Sequence, residues 1–126
     1  RAVSAIVRSG ASHAPDHGPS VVRTILGNPK LKDMWLNDLE TMRLRVHGIR
    51  QDIVQTERSN HDADTLGYIG TQSGMFSLLP ITAEQERALT RDHGIHVVQG
   101  GRVNVARLKP NDISTVINAT HDVLGL

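Results

Sequence analysis

Gly100-Gly101-Arg102-Val103-Asn104-Val105-Ala106, with Gly74-Met75-Phe76-Ser77 about 25 residues before it, decides how this chain reads. After the glycine pair, Val103 and Val105 alternate with Arg102 and Asn104, which is the two-residue period of a strand with one buried face. Arg102 stands at the mouth of that strand, and Asn104 shares its face. A guanidinium carries a fixed charge and a planar fork of donors, and so meets a carboxylate side-on better than an ammonium does. Arg102 is therefore a candidate for gripping a carboxylate, with Asn104 placed to orient it. The competing reading is a strand-end arginine in a surface ion pair, typically worth only ~0–1 kcal/mol.

Working outward, Ile95 to Val98 and Arg102 to Ala106 predict two short strands around the Gly100-Gly101 turn. Leu66 to Ile69 and Met75 to Leu79 predict two more, joined through Gly70-Thr71-Gln72-Ser73-Gly74. Thr82 with Gln85 three residues on forms a capping-box signature, and Gly94 closes the helix it starts. Pro110 opens a final helix whose apolar face is Ile113, Val116, Ile117, Val123 and Leu124. Upstream, Asn28-Pro29 pairs a capping side chain with proline at the first helical position. Along the long helix that follows, Trp35, Leu39, Met42, Val46, Ile49 and Ile53 recur at spacings of four and three, a seam for packing into a core. Val21, Val22, Ile25 and Leu26 predict a shorter helix stopped by Gly27, Ser9 to Pro19 a loop, and Ser59 to Asp64 a turn. The expected fold class is α/β built as α+β layers: a small sheet covered by helices, one of them long.

A chain of 126 residues supports one core. Aromatic content is only 2%, so Leu, Val, Ile, Met and Ala must build that core. The net charge is +1 with scattered basic residues, which argues against nucleic acid as a partner. No apolar run approaches the ~20 residues that span a bilayer. The absence of cysteine removes disulfide and thiol chemistry, and the N-terminus lacks a signal-peptide pattern, so a cytoplasmic protein is expected. The start at Arg1, in mid-pattern and without methionine, suggests an excised or truncated piece.

The two glycine-led segments, in this order and at this separation, resemble the C-terminal small domain of the class I pyridoxal-phosphate aminotransferases, the aspartate and aromatic amino-acid group. Ile6-Val7-Arg8 followed by Ser12, Pro15, His17-Gly18 and Ser20-Val21-Val22 looks like the arginine-to-glycine turn region of the same family. The resemblance therefore spans almost the whole chain. It implies a fold-type I transferase that exchanges an amino group between an amino acid and a 2-oxo acid, working as a homodimer. On this resemblance Arg102 takes the substrate's α-carboxylate and Phe76 lines the approach. Arg8 takes the distal carboxylate of a dicarboxylic substrate in the neighbouring subunit's site, with Ser12 in the same turn. Ala11 and His13-Ala14-Pro15 depart from the family's aromatic and Asn-Pro-Pro at these places. The alternative is a non-catalytic binding or interaction module that keeps the same fold.

Pyridoxal 5'-phosphate chemistry needs a lysine to hold the cofactor and a carboxylate for its ring nitrogen. Lys30, Lys32 and Lys109 are the only lysines, and none stands in a family-like setting. The cofactor site is accordingly expected on a large domain that this chain lacks, and no catalytic residue is assigned here. The pairs His13 with His17 and His93 with His96 invite a metal reading, but each lacks the further ligands a zinc site needs. No metal is expected.

Overall fold

The computed structural model describes residues 2–10, 16–62 and 64–126. The chain divides into two compact units, Arg1–Thr41 and Met42–Leu126, with the boundary inside one long helix.

The first unit is helical. Helix α1 spans Ala2–Gly10, α2 spans His17–Gly27, and α3 runs over Pro29–Asn60. The Asn28 side chain accepts hydrogen bonds from the amides of Lys30 (3.0 Å) and Leu31 (3.3 Å), which satisfies two of the free donors at the start of α3. The expected loop from Ser9 to Pro19 is shorter than its composition suggested, because helix continues through Gly10 and resumes at His17. Pro19 falls in the first turn of α2, where an amide has no helical acceptor and proline costs nothing. Trp35 and Leu39, the first members of the α3 seam, are exposed, as is Met42 just beyond the boundary. The seam is realised as core only from Val46 onward.

The second unit holds that core. Ile49 and Ile53 of α3 pack with Leu66, Ile69, Leu79, Leu89, Val105, Ile113, Ile117 and Ala119. Two three-residue strands, β1 (Phe76–Leu78) and β2 (Arg102–Asn104), pair antiparallel. Helix α4 (Ala83–His93) starts on the Thr82–Gln85 capping box and ends at Gly94 with φ +66°. Helix α5 (Pro110–Leu124) ends at Gly125 with φ +76°. The result is a small sheet covered by helices, as expected, although the sheet is smaller than the sequence implied.

Two expected strands are absent, and hydrogen bonding explains both. Leu66 to Ile69 instead enters a 3₁₀ turn, Gly67–Thr71. The buried Glu57 carboxylate takes the amides of Thr65 and Leu66 at 2.9–3.0 Å, so those donors are not available to a ladder. Ile95 to Val98 contributes a single bridge, Val98 to Arg102. The Ile95 amide is committed to Leu89 O, and its carbonyl accepts from the Thr90 hydroxyl. The strand from Arg102 likewise stops at Asn104, after which Val105–Arg107 form a 3₁₀ turn.

Candidate functional site

The β1–β2 register pairs Phe76 with Asn104, Ser77 with Val103, and Leu78 with Arg102. Since side chains alternate along a strand, Phe76, Leu78, Arg102 and Asn104 share one face while Ser77 and Val103 face the core. Arg102 and Phe76 are thus diagonal neighbours, and the guanidinium carbon lies 5.2 Å from the ring centroid, within cation–π range. Both side chains border an open depression of about 600 Å³ that Gln72, Ser77 and Leu78 also line. Among the described residues no carboxylate lies within ion-pair distance of Arg102, and its guanidinium donates to no protein acceptor. A flat cation with a full set of unused donors, backed by an aromatic face, is suited to an incoming carboxylate.

Asn104 lies on that face, half-buried, but makes no hydrogen bond to Arg102 among the described residues. Its Oδ1 is buried without a donor. Arg8 is exposed in the last turn of α1, in the other unit. Ser12 lies outside the described residues, as do Ala11 and His13-Ala14-Pro15 of the same turn.

Several residues that shape the depression were not singled out from sequence. Arg50 is 1% exposed and donates to Ile69 O (3.1 Å), Ser77 Oγ (2.7 Å), Gly74 O (2.9 Å) and Phe76 O (3.1 Å). An arginine cannot accept a hydrogen bond, so the Ser77 hydroxyl proton goes elsewhere, and it goes to Gln72 Oε1 at 2.7 Å. Burial lowers the pKa of the guanidinium from its ordinary value, but an arginine stays charged at any working pH. Its signal was present in the sequence: Val46, Ile49, Arg50, Ile53, Val54 and Glu57 continue one helical face, with Arg50 and Glu57 occupying core positions. Glu57, 0% exposed, also accepts from His121 Nε2 at 2.9 Å, and His121 stacks on His61 with centroids 3.8 Å apart. The Tyr68 hydroxyl donates to Leu78 O, tying the 3₁₀ turn to β1.

No lysine lines the depression. Lys30 and Lys32 lie in the first turn of α3, and Lys109 caps α5. The described residues also contain no cluster of three or more potential metal ligands, and no described helix is long and apolar enough to cross a membrane.

A small helix-covered sheet carries Arg102 and Phe76 on one face beside the depression, and comparison with known proteins gives this fold a family. Residues 1–119 match the family described as aminotransferase class I and II, and the chain belongs to it. It is 39% identical over 114 residues to a tyrosine aminotransferase of Rhizobium meliloti, covering 90% of this chain and 29% of that protein. It is 37% identical to an aspartate aminotransferase of Escherichia coli, covering 97% of this chain and 31% of the relative. A crystal structure of an aromatic-amino-acid aminotransferase from Burkholderia pseudomallei, covalently bound to pyridoxal phosphate, superposes with a TM-score of 0.86 at 32% identity. That match covers 94% of this chain and 30% of the other. The chain therefore spans about a third of the length of the relatives it matches.

Proposed function

We propose that this chain is the small, C-terminal domain of an aspartate or aromatic amino-acid aminotransferase, in which Arg102 binds the substrate's α-carboxylate. The observation that carries this reading is the Arg102 guanidinium, without an acceptor among the described residues and over the Phe76 ring beside an open depression. Pyridoxal phosphate, held by residues outside this chain, supplies the electron sink for the exchange of an amino group between an amino acid and a 2-oxo acid. This chain supplies orientation. A bidentate contact from Arg102 fixes both oxygens of the carboxylate, and so sets which way the neighbouring α-carbon faces. Phe76 covers one side of the guanidinium and limits its hydration, which strengthens the contact. Movement of this domain over bound substrate then keeps water from the reacting atoms.

Within the same reading Arg8 contacts the distal carboxylate of a dicarboxylic substrate in the partner subunit of a cytoplasmic homodimer, with Ser12 in the adjoining turn. Its support is the family membership together with the exposed place of Arg8 in the last turn of α1.

The test is steady-state kinetics of Arg102→Ala in the complete enzyme. Loss of a buried charge partner costs ~2–5 kcal/mol, so kcat/KM should fall by roughly 30-fold or more. A fall of less than about tenfold would refute the assignment.

A further inference from the structure

Arg102 follows two glycines, Gly100 with φ +86° and Gly101 with φ +69°, the pair least able to fix its own conformation. Yet both peptide planes flanking Gly101 are held. Its amide donates to Glu86 Oε1 at 2.6 Å, and its carbonyl accepts from the Leu79 amide at 2.8 Å. A Cβ at Gly101 would stand 2.7 Å from Leu79 O and 3.2 Å from Ile81 Cγ1, so the turn is pressed against the end of β1 with no room for a side chain. Beyond it, Arg102 exchanges both backbone hydrogen bonds with Val98, each 3.1 Å.

Glu86 sits in the first turn of α4, where an acidic residue ordinarily complements the helix dipole. Here the carboxylate is half-buried and spends an oxygen on an amide 15 residues further along. The 2.6 Å separation puts the carboxylate oxygen in close contact with that amide. Of the two restraints on Gly101, the Leu79 bond belongs to the edge of the strand ladder. Among the described residues, Glu86 alone hydrogen-bonds Gly101 from a helix.

We propose that Glu86 is a positioning residue for Arg102: through the Gly101 amide it fixes the angle at which the arginine leaves the turn and meets the carboxylate. The proposal rests on the assignment of Arg102 as the carboxylate-binding group, and the experiment separates the two. In the complete enzyme, the Kd of 3-phenylpropionate, a carboxylate without an amino group, is measured beside that of 3-phenylpropionamide. The variants are Glu86→Gln, Glu86→Leu, Arg102→Ala and the Glu86→Leu/Arg102→Ala pair, with Tm recorded for each. Glu86→Leu should weaken the carboxylate about tenfold and leave the amide unchanged. Glu86→Gln, which keeps the acceptor, should stay within about threefold of the parent. In the Arg102→Ala background Glu86→Leu should have no further effect, since a residue acting through Arg102 has nothing left to position. An equal loss in both backgrounds, or an equal loss for acid and amide, would overturn the proposal and leave Glu86 a stabilising residue only. If Glu86→Leu does not fold, Glu86→Asp, which withdraws the oxygen by one methylene, takes its place in the same cycle under the same criteria. Should Arg102→Ala alone leave carboxylate affinity unchanged, the reading of the site fails first and the proposal with it. Should Arg102→Ala weaken binding while the Glu86 variant does not, only the proposal fails.

Discussion

Arg102 and Phe76 lie diagonally across the β1–β2 pair, with the guanidinium carbon 5.2 Å from the ring centroid. The register that pairs Phe76 with Asn104 and Leu78 with Arg102 produces this geometry, since diagonal neighbours on one face lie within reach of long and aromatic side chains. The ring backs the cation without using any of its donors. An acidic partner would have consumed them.

Phe76→Leu should keep most of the volume while removing the ring face. An exposed cation–π contact is worth ~0.5–1 kcal/mol, so the KM for amino-acid substrates should rise about two- to fivefold with kcat little changed. Steady-state kinetics on the complete enzyme checks this. A large fall in kcat with KM unchanged would place Phe76 in a different role.

Arg50→Met should destabilise the protein. It removes the donor to Gly74 O and Phe76 O, while Ile69 O keeps the Gln72 amide and the Ser77 hydroxyl keeps its own bond to Gln72. At ~1–3 kcal/mol for each carbonyl left unsatisfied, and with some relaxation, a loss of about 2 kcal/mol or more is expected in urea unfolding. Arg50→Lys should recover only part of it, because one ammonium cannot span four acceptors. A loss below about 1 kcal/mol would show that the network contributes little.

The parts of the fold that were legible in the sequence are those whose cause is local. Asn28-Pro29, the Thr82–Gln85 box, Gly94 and the alternation at Arg102 each act within a few residues, and each gives the element it predicts. What was misread depends on distant partners. Leu66 to Ile69 has strand composition, but Glu57, nine residues before Leu66, captures its backbone donors and turns it into 3₁₀. Trp35, Leu39 and Met42 fit the same periodic seam as Ile49 and Ile53 yet remain exposed, because periodicity marks a face and not what covers it. At the candidate site, the two motifs bring Arg102 and Phe76 onto one face of the strand pair. Arg50 and Glu86 were passed over because each acts on backbone atoms 15 or more residues away.

Tyr68 gives a pH dependence. Burial, and then the charge of Glu57, raise its hydroxyl pKa above the ordinary value. A raised folded-state pKa means that the group's contribution to stability is fully present below the unfolded value, ~10, and is lost as pH rises through the folded value. Stability should therefore fall on the alkaline side as the donor to Leu78 O is lost, and Tyr68→Phe should flatten that limb. Tyr68 is the one tyrosine in the chain, so a tyrosinate absorbance titration of the folded chain reads it alone. A midpoint at or below ~10 would contradict the assignment.

Arg8→Ala should cost affinity for dicarboxylic substrates while sparing aromatic ones, since one charge partner is lost. If Arg8 acts across the dimer, mixing these chains with chains lacking the cofactor-binding lysine places both defects in one site of each hybrid. The other site is then intact, and aspartate activity returns. Hybrids confirmed by native mass spectrometry that show no recovery would place Arg8 in its own subunit's site.

Everything proposed for the site turns on recognition of a carboxylate by Arg102. Calorimetric titration of the complete enzyme with 3-phenylpropionate and with its neutral amide, on the parent and on Arg102→Ala, tests that recognition without passing through catalysis. The parent should prefer the acid and Arg102→Ala should lose the preference, weakening the acid at least about tenfold, or ~1.4 kcal/mol, while leaving the amide unchanged. An Arg102→Ala enzyme that still prefers the acid by the parent's margin would contradict carboxylate recognition by Arg102.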